Sequence, residues 1–389
     1  MKIGLVCPYS IIRGGGVQEV VKALQIEYAK HGHEAIIITP QPKEPYHSKS
    51  HPVIFLGTST DFKSPLATTT QLSASVLTDE IDTMLERERF DVLHFHEPWV
   101  PVLSRQILSR SKCANVATFH AKLPETIASR ALAKVVIPYT KPLLRHIDAF
   151  TAVSDAAAEY VRSLSDAPIE IIPNGIRYAS FRRPSGLTEQ PKRPPTILYV
   201  GRLEKRKGVK YLLLAFQLLQ QRKPGSRLIV AGDGVDREKL EELTDELRLQ
   251  NVDFRGYIDD REKLELLHSA DVFCSPALYG ESFGIVLLEA MASGLVTVAG
   301  NNPGYESVMT ELGQLSLVDP RDTKEFAHRL ELLISDQGIR ELWKKWAKKT
   351  IRRYEYGKVA DMYMDVYART VAAHTPEGRK KNNEDWYST

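Results

Sequence analysis

Two successive series of short apolar runs, rich in Val and Ile and separated by helix-length segments, constrain this chain more than any other feature. The first series comprises Lys2 to Cys7, Ala35 to Thr39, Asp91 to His96, Asn115 to Phe119 and Ala149 to Val153. The second comprises Thr196 to Val200, Arg227 to Ala231, Val252 to Arg255, Val272 to Ser275, Val296 to Ala299 and Leu315 to Val318. Several runs are apolar continuously rather than alternately, which marks parallel strands covered by helices on both faces. Each series opens with a strand, a glycine-bearing loop and a helix. The loops are Gly14-Gly15-Gly16 ahead of Val17 and Gly201 to Gly208 ahead of Val209. The expected fold class is therefore α/β, with two Rossmann-like, doubly wound parallel-sheet domains facing across a cleft and ligands bound beyond the carboxyl ends of the strands.

The 389 residues suffice for two cores at about 100 to 200 residues per domain. A charged content of 26% and the lack of any apolar run near the ~20 residues of a membrane helix argue for a globular chain that does not cross a bilayer. Met1 leads directly into a strand, so no signal sequence is expected, and three scattered cysteines, Cys7, Cys113 and Cys274, fit a reducing compartment. The expected location is cytoplasmic. Lys and Arg number 52 against 49 Asp and Glu, so nothing in the overall charge suggests nucleic acid, and an anionic partner must be sought in local clusters. The stretch from Phe181 to Pro195, with Pro184, Pro191, Pro194 and Pro195, reads as an exposed connector. Beyond about residue 322 the chain reads as helical to about Ala373, and Pro376 to Thr389 as a polar, poorly ordered tail.

Three motifs carry chemistry. Gly14-Gly15-Gly16 can aim amides and a helix dipole at a phosphate, or serve only as a flexible strand-to-helix turn. Gly201 to Gly208 places Arg202, Lys205, Arg206 and Lys207 just beyond a strand, where cations neutralise the charge developing on a diphosphate leaving group. Gly280 to Ala290 pairs Glu281 with Glu289. Glu281 precedes a helix with Ser282 as its candidate N-cap, and Glu289 lies about two turns inside an apolar segment, where a carboxylate requires a partner such as a ligand hydroxyl. Amides around Phe283, Gly284 and Ile285 are available to phosphate oxygens. His94 and His96 share one face of a strand, but no third metal ligand and no Asp-x-Asp accompanies them.

The glycine loop, Gly201-Arg202 with Lys207-Gly208, and the Glu281 and Glu289 pair with seven residues between them together resemble the retaining GT-B glycosyltransferases of family four. Within that family, Val6-Cys7-Pro8-Tyr9-Ser10, Gly15-Gly16-Val17-Gln18, Asp91 to His94 with His96-Glu97-Pro98, Ala117 to His120, Ile172-Pro173-Asn174-Gly175 and Gly280 to Val286 look like the phosphatidylinositol mannosyltransferases, over about residues 1 to 372. The resemblance implies a hexosyltransferase using a nucleotide sugar, GDP-mannose foremost, with retention and no protein nucleophile. It assigns Arg202 and Lys207 to the donor diphosphate, Gly15 and Gly16 close to it, Glu281 to hydroxyls of the transferred sugar and Glu289 to the ribose. Ile258, Asp260 and Lys263 fall on the base-binding loop, and Phe283, Gly284, Ile285 and Val286 on the phosphate-facing turn. His120 is similar to a histidine beside the reacting sugar, and Tyr9, Gln18 and His120 match positions near the acceptor. The corresponding domains are residues 1–172 completed by a helix at about 354–373, residues 173–353, and a tail from 374 to 389.

The departures concern the acceptor, which is a phosphatidylinositol-like or other lipid-linked hydroxyl, or alternatively a soluble sugar or metabolite used with another nucleotide sugar. Ser75 to Arg89, where the resembled enzymes carry a basic membrane-docking helix, contains Asp79, Glu80, Asp82, Glu86 and Glu88. Ala121-Lys122-Leu123-Pro124 lacks a hydroxyl-rich run. Glu341 to Arg353 combines Trp343 and Trp346 with six cations, which reads either as peripheral contact with anionic membrane or as a solvated helix whose aromatic stripe packs on its own domain, the second being favoured. No tightly bound cofactor is expected, and stimulation by a divalent metal stays open without an identified ligand set. A nucleotide-sugar epimerase or binding protein on the same scaffold is the remaining alternative.

Overall fold

The computed structural model describes residues 1–12, 14–42, 52–63, 69–75, 77–100, 102–122, 140–183 and 193–374. The chain divides into two compact units, Met1–Gly175 with Tyr356 onward, and Ile176–Glu355.

The first unit is built on a seven-stranded parallel sheet in the order β3-β2-β1-β6-β7-β8-β9. Its strands are β1 (Lys2–Val6), β2 (Glu34–Pro40), β3 (Val53–Leu56), β6 (Val92–His96), β7 (Ala114–Phe119), β8 (Ala149–Ala152) and β9 (Ile169–Ile171), while β4 (Thr58–Lys63) and β5 (Thr69–Ser75) form a separate antiparallel pair. β1, β6 and β7 are almost wholly buried, as their unbroken apolar runs require. The short β3 and β9 and the β4–β5 pair are not singled out by the apolar pattern. The helix Gly16–Lys30 follows β1 and packs through Val20, Val21, Leu24 and Tyr28 against the C-terminal helix Tyr356–Ala373, which adds Val359, Ala360, Tyr363 and Tyr367 to one core.

The second unit carries a six-stranded parallel sheet in the order β12-β11-β10-β13-β14-β15. These strands are β10 (Thr196–Val200), β11 (Arg227–Ala231), β12 (Val252–Gly256), β13 (Val272–Ser275), β14 (Val296–Gly300) and β15 (Leu317–Val318). The last is shorter than the run from Leu315 predicts, because Glu311–Ser316 forms a 3-10 turn whose Ser316 hydroxyl accepts the Trp343 indole N–H at 2.8 Å. Helices Thr323–Ser335 and Gln337–Thr350 lead into a 3-10 turn at Ile351–Tyr354. Trp343 and Trp346 are buried on their own unit and meet edge to face at 5.5 Å. That leaves Lys345, Lys348, Lys349, Arg352 and Arg353 exposed, with Arg352 lying 5.9 Å over the Tyr178 ring.

Strand order reverses between β1 and β6 in the first sheet and between β10 and β13 in the second. Such switch points open crevices outside the strand carboxyl ends. The motif residues lie there or on neighbouring strand ends. Of the connector, 184–192 lies outside the described residues, as do Leu123, Pro124 and 375–389.

Candidate active site

In the second unit, the loop after β10 and the loop after β13 are joined by ion pairs. Glu281 Oε1 accepts from Lys207 Nζ at 2.7 Å and from Arg206 Nη1 at 2.8 Å. Arg206 also reaches Glu204 at 3.0 Å, and Glu204 holds Arg202 at 2.7 Å. Five charged side chains thus form one chain, from the 43% exposed Arg202 to Lys207 at 16%. Burial holds the Lys207 ammonium below its ordinary range, and Glu281 only partly offsets this. Two glycines make the close approach possible. Gly208 has φ +70°, and a Cβ there would lie 2.1 Å from the Pro276 carbonyl oxygen. Gly284 has φ +98° and would drive a Cβ into the Tyr305 ring at 2.7 Å.

Gly284, and not Ser282, is the N-cap of helix Ile285–Ala292, and no side chain caps it. A left-handed backbone at Gly284 sets the helix start two residues later than a Ser282 cap requires. Phe283 is buried edge to face on Tyr354 at 5.8 Å, so it offers backbone rather than ring, while the first-turn amides at Ile285 and Val286 lack intrahelical acceptors. Glu289 is accordingly the fifth residue of its helix, little more than one turn in, and its partner is protein: Lys263 Nζ at 3.0 Å. Burial raises the Glu289 carboxyl and the lysine opposes it. Lys263 also meets Asp260 at 3.3 Å and lies 5.7 Å over the Phe181 ring. Ile258 and the capping Asp259 lead into this helix, Asp260–Ser269.

In the first unit, the strand ends carry a buried neutral cluster. The rings of His94 and His96 lie 4.1 Å apart, and His96 stacks on His120 at 5.1 Å. Both nitrogens of His94 are taken, by the Tyr367 hydroxyl and by Thr118 Oγ1, each at 2.6 Å. Burial pushes His94 and His120 down to about 3, with Asn174 opposing the shift at His120. Glu97, with φ +53°, accepts the His120 amide at 2.5 Å, the Ala121 amide at 2.6 Å and the Trp99 indole N–H. Burial raises its carboxyl to about 7 against those hydrogen bonds. Gly15 caps helix Gly16–Lys30 without a side-chain bond, the Gln18 amide folds over it, and Gln18 Nε2 donates to the Ser10 carbonyl at 3.5 Å. Tyr9 follows the same strand, within electrostatic reach of Glu97, and Lys122 pairs with Glu159 at 3.2 Å. Among the described residues no group of three or more His, Cys, Asp or Glu is arranged around a metal position, and no helix is long and apolar enough to cross a membrane.

The second unit thus carries a lattice of paired charges, and the first a buried neutral cluster. Residues 14–179 match the family model described as Glycosyltransferase Family 4, and residues 186–351 that described as Glycosyl transferases group 1. Over 376 residues the chain is 33% identical to the phosphatidyl-myo-inositol mannosyltransferase of Mycolicibacterium smegmatis, covering 94% of this chain and 93% of that one. The chain belongs to glycosyltransferase family four. Solved structures similar to this glycosyltransferase include a sucrose-phosphate synthase from Thermosynechococcus elongatus, with a TM-score of 0.76 at 22% identity over 96% of this chain and 100% of the other. Anabaena HepE in complex with UDP and glucose follows at 0.73 and 16%, covering 95% of this chain and 99% of the other. These likenesses establish the GT-B fold. The family-four enzyme is a hexosyltransferase that takes a nucleotide-sugar donor.

The assignments made from sequence omit Glu204, Arg206, Glu97 and Asn174. Arg206 was within reach as one of four cations in its loop, but its bond to Glu281 spans 75 positions. Glu97 and Asn174 sit in quoted motifs, yet nothing in their spacing shows that they converge on His120.

Proposed function

We propose that this enzyme transfers mannose from GDP-mannose, with retention of configuration, to a phosphatidylinositol-like or other lipid-linked acceptor at the cytoplasmic face of a membrane. The observation that carries the reading is the 33% identity to a phosphatidyl-myo-inositol mannosyltransferase across nearly the whole of both chains. The site chemistry supports it. Arg202 and Lys207 are placed to neutralise a diphosphate, with the first-turn amides of Ile285 and Val286 as further donors. In the structure their charges are held by Glu204 and Glu281, so phosphate oxygens compete for cations already in position, and Glu281 is then released towards sugar hydroxyls. Glu289, with Lys263 beside it, is placed for the ribose, and Ile258 and Asp260 for the base. Tyr9, Gln18 and His120, with the Gly15-Gly16 turn, form the acceptor side.

In the transfer step the bond from the anomeric carbon to the diphosphate oxygen breaks as the acceptor hydroxyl oxygen attacks on the same face. The hydroxyl proton passes to the departing phosphate oxygen, so no protein nucleophile is consumed. Catalysis then rests on orientation and on stabilising the leaving group.

A second reading, another nucleotide sugar with a soluble acceptor, draws support from the helix Thr78–Glu88, which exposes Asp79, Glu80, Asp82 and Glu86 where a membrane-docking surface would need cations. The deciding test is the melting temperature with GDP-mannose, UDP-glucose, UDP-N-acetylglucosamine and ADP-glucose, followed by transfer assays on phosphatidylinositol vesicles and soluble sugars. A ligand at 100 times its dissociation constant stabilises by about 2.7 kcal/mol. Stabilisation by GDP-mannose with mannosyl transfer to the lipid supports the first reading. A uridine or adenine donor with a soluble acceptor replaces it with the second.

A further inference from the structure

The histidine cluster determines which nitrogen of His120 carries its proton. His96 Nδ1 and His120 Nε2 lie 2.9 Å apart, inside the protein. Burial holds both rings neutral at ordinary pH. Two neutral imidazoles in contact share one N–H, so one ring donates and the other accepts. If His120 donated from Nε2, His96 would carry its own proton on Nε2. That nitrogen is buried and has no partner among the described residues. A buried N–H without an acceptor is among the least tolerated of polar groups. If His96 donates from Nδ1 instead, only a lone pair is left without a partner. The proton of His120 then sits on Nδ1.

We propose that His96 is a positioning residue that fixes His120 as its Nδ1–H tautomer, so that His120 meets a ligand hydroxyl as a hydrogen-bond donor and has no free lone pair with which to act as a base. His96 is suited to this because it is itself held. Its ring lies against His94, whose two nitrogens are bound by Tyr367 and Thr118, and the next residue, Glu97, grips the His120 and Ala121 amides. The ring and the backbone of His120 are thus both set from the end of β6. The functional half of this inference rests on the acceptor-side role proposed for His120, and a donating His120 agrees with a step in which the leaving phosphate takes the proton.

The test is nitrogen-15 NMR of the full chain labelled at histidine, with His120 assigned by comparison with His120→Gln. The expected wild-type spectrum shows His120 protonated at Nδ1 and unprotonated at Nε2. His96→Leu removes the donor and should give a mixed His120 tautomer, with turnover lowered about tenfold, the worth of one oriented hydrogen bond, at unchanged donor KM. His96→Asn, whose amide nitrogen can take the place of Nδ1, should restore both. Protonation of His120 at Nε2 in the wild type overturns the proposal, as does His96→Leu with wild-type spectrum and turnover. If His96→Leu does not fold, the wild-type spectrum and His96→Asn decide alone. The tautomer needs no substrate to be read, so absence of transfer from every nucleotide sugar would sink the proposed function while leaving the NMR result to judge His96.

Discussion

The two units organise their buried polar groups in opposite ways. In the first, His94, His96, His120, Thr118, Thr151, Tyr28, Tyr363 and Tyr367 interlock as neutral hydrogen-bonding groups, with Thr118 and Thr151 hydroxyls 2.6 Å apart and the Tyr28 and Tyr367 hydroxyls at 3.0 Å. In the second, Arg202, Glu204, Arg206, Lys207 and Glu281 form a string of charges that stays partly open to water. Burial explains the difference. A fully enclosed charge costs more than a neutral imidazole with partners, so the deep cluster keeps its rings uncharged. The ionic string sits at a loop surface, where opposite charges hold one another in place.

The largest expected effect breaks the ionic side. Lys207→Ala should lower kcat by about 10²–10³-fold, the usual loss on removing one preorganised charge donor. The melting temperature should hardly move, because Arg206 still satisfies Glu281. Arg202→Ala should behave alike, and steady-state kinetics beside thermal melts would show either. Wild-type turnover in these variants would remove the assigned roles.

Acid should next separate the units. His94 and His120, neutral in the fold and at about 3, take up protons on unfolding below the ordinary histidine value of 6.5. Their contribution is therefore lost as pH falls from 6.5 towards 3. Glu97, raised to about 7 from 4.5, works the other way, since the fold keeps its proton and gains stability as pH falls through that window. The histidines outweigh the single carboxyl, so the first unit should lose about 2 to 4 kcal/mol between pH 6.5 and 5, read by hydrogen exchange of its amides. In Glu97→Gln the loss should steepen, because the opposing group is gone.

Tyr367→Phe removes the hydroxyl shared by His94 and Tyr28 and should cost about 1–3 kcal/mol in denaturant unfolding, leaving donor binding by the second unit unchanged. The smallest effect belongs to the exposed face of helix Gln337–Thr350. Lys345, Lys348 and Lys349 changed together to Gln should alter stability by less than about 0.5 kcal/mol. Loss of flotation with anionic vesicles in that variant would establish a membrane role for this face, and flotation absent already in the wild type would dismiss it.

Much of this was legible in the sequence. Continuous apolar runs placed the central strands of both sheets, since a strand buried on both faces admits few other residues, and missed β3, β9 and the β4–β5 pair. Strand-loop-helix openings located both glycine loops, and Glu281 and Glu289 were visible by spacing. Side-chain partners were not legible. Glu289 is answered by Lys263, 26 positions away, where a ligand hydroxyl had been the expected partner. The tryptophan stripe looks inward, a choice that periodicity leaves open because it gives a face without saying what covers it.

The sequence by itself determined the α/β class, the two strand series and which strand ends carry reactive residues, because these follow from local periodicity and turn chemistry. Only the tertiary structure decided the helix start at Gly284, the sharing of Glu281 between Arg206 and Lys207, and the convergence of His96, Glu97 and Asn174 on His120. Those outcomes depend on burial and on contacts between residues 23 to 75 positions apart, where desolvation, and not sequence proximity, determines which groups stay charged and which must find partners.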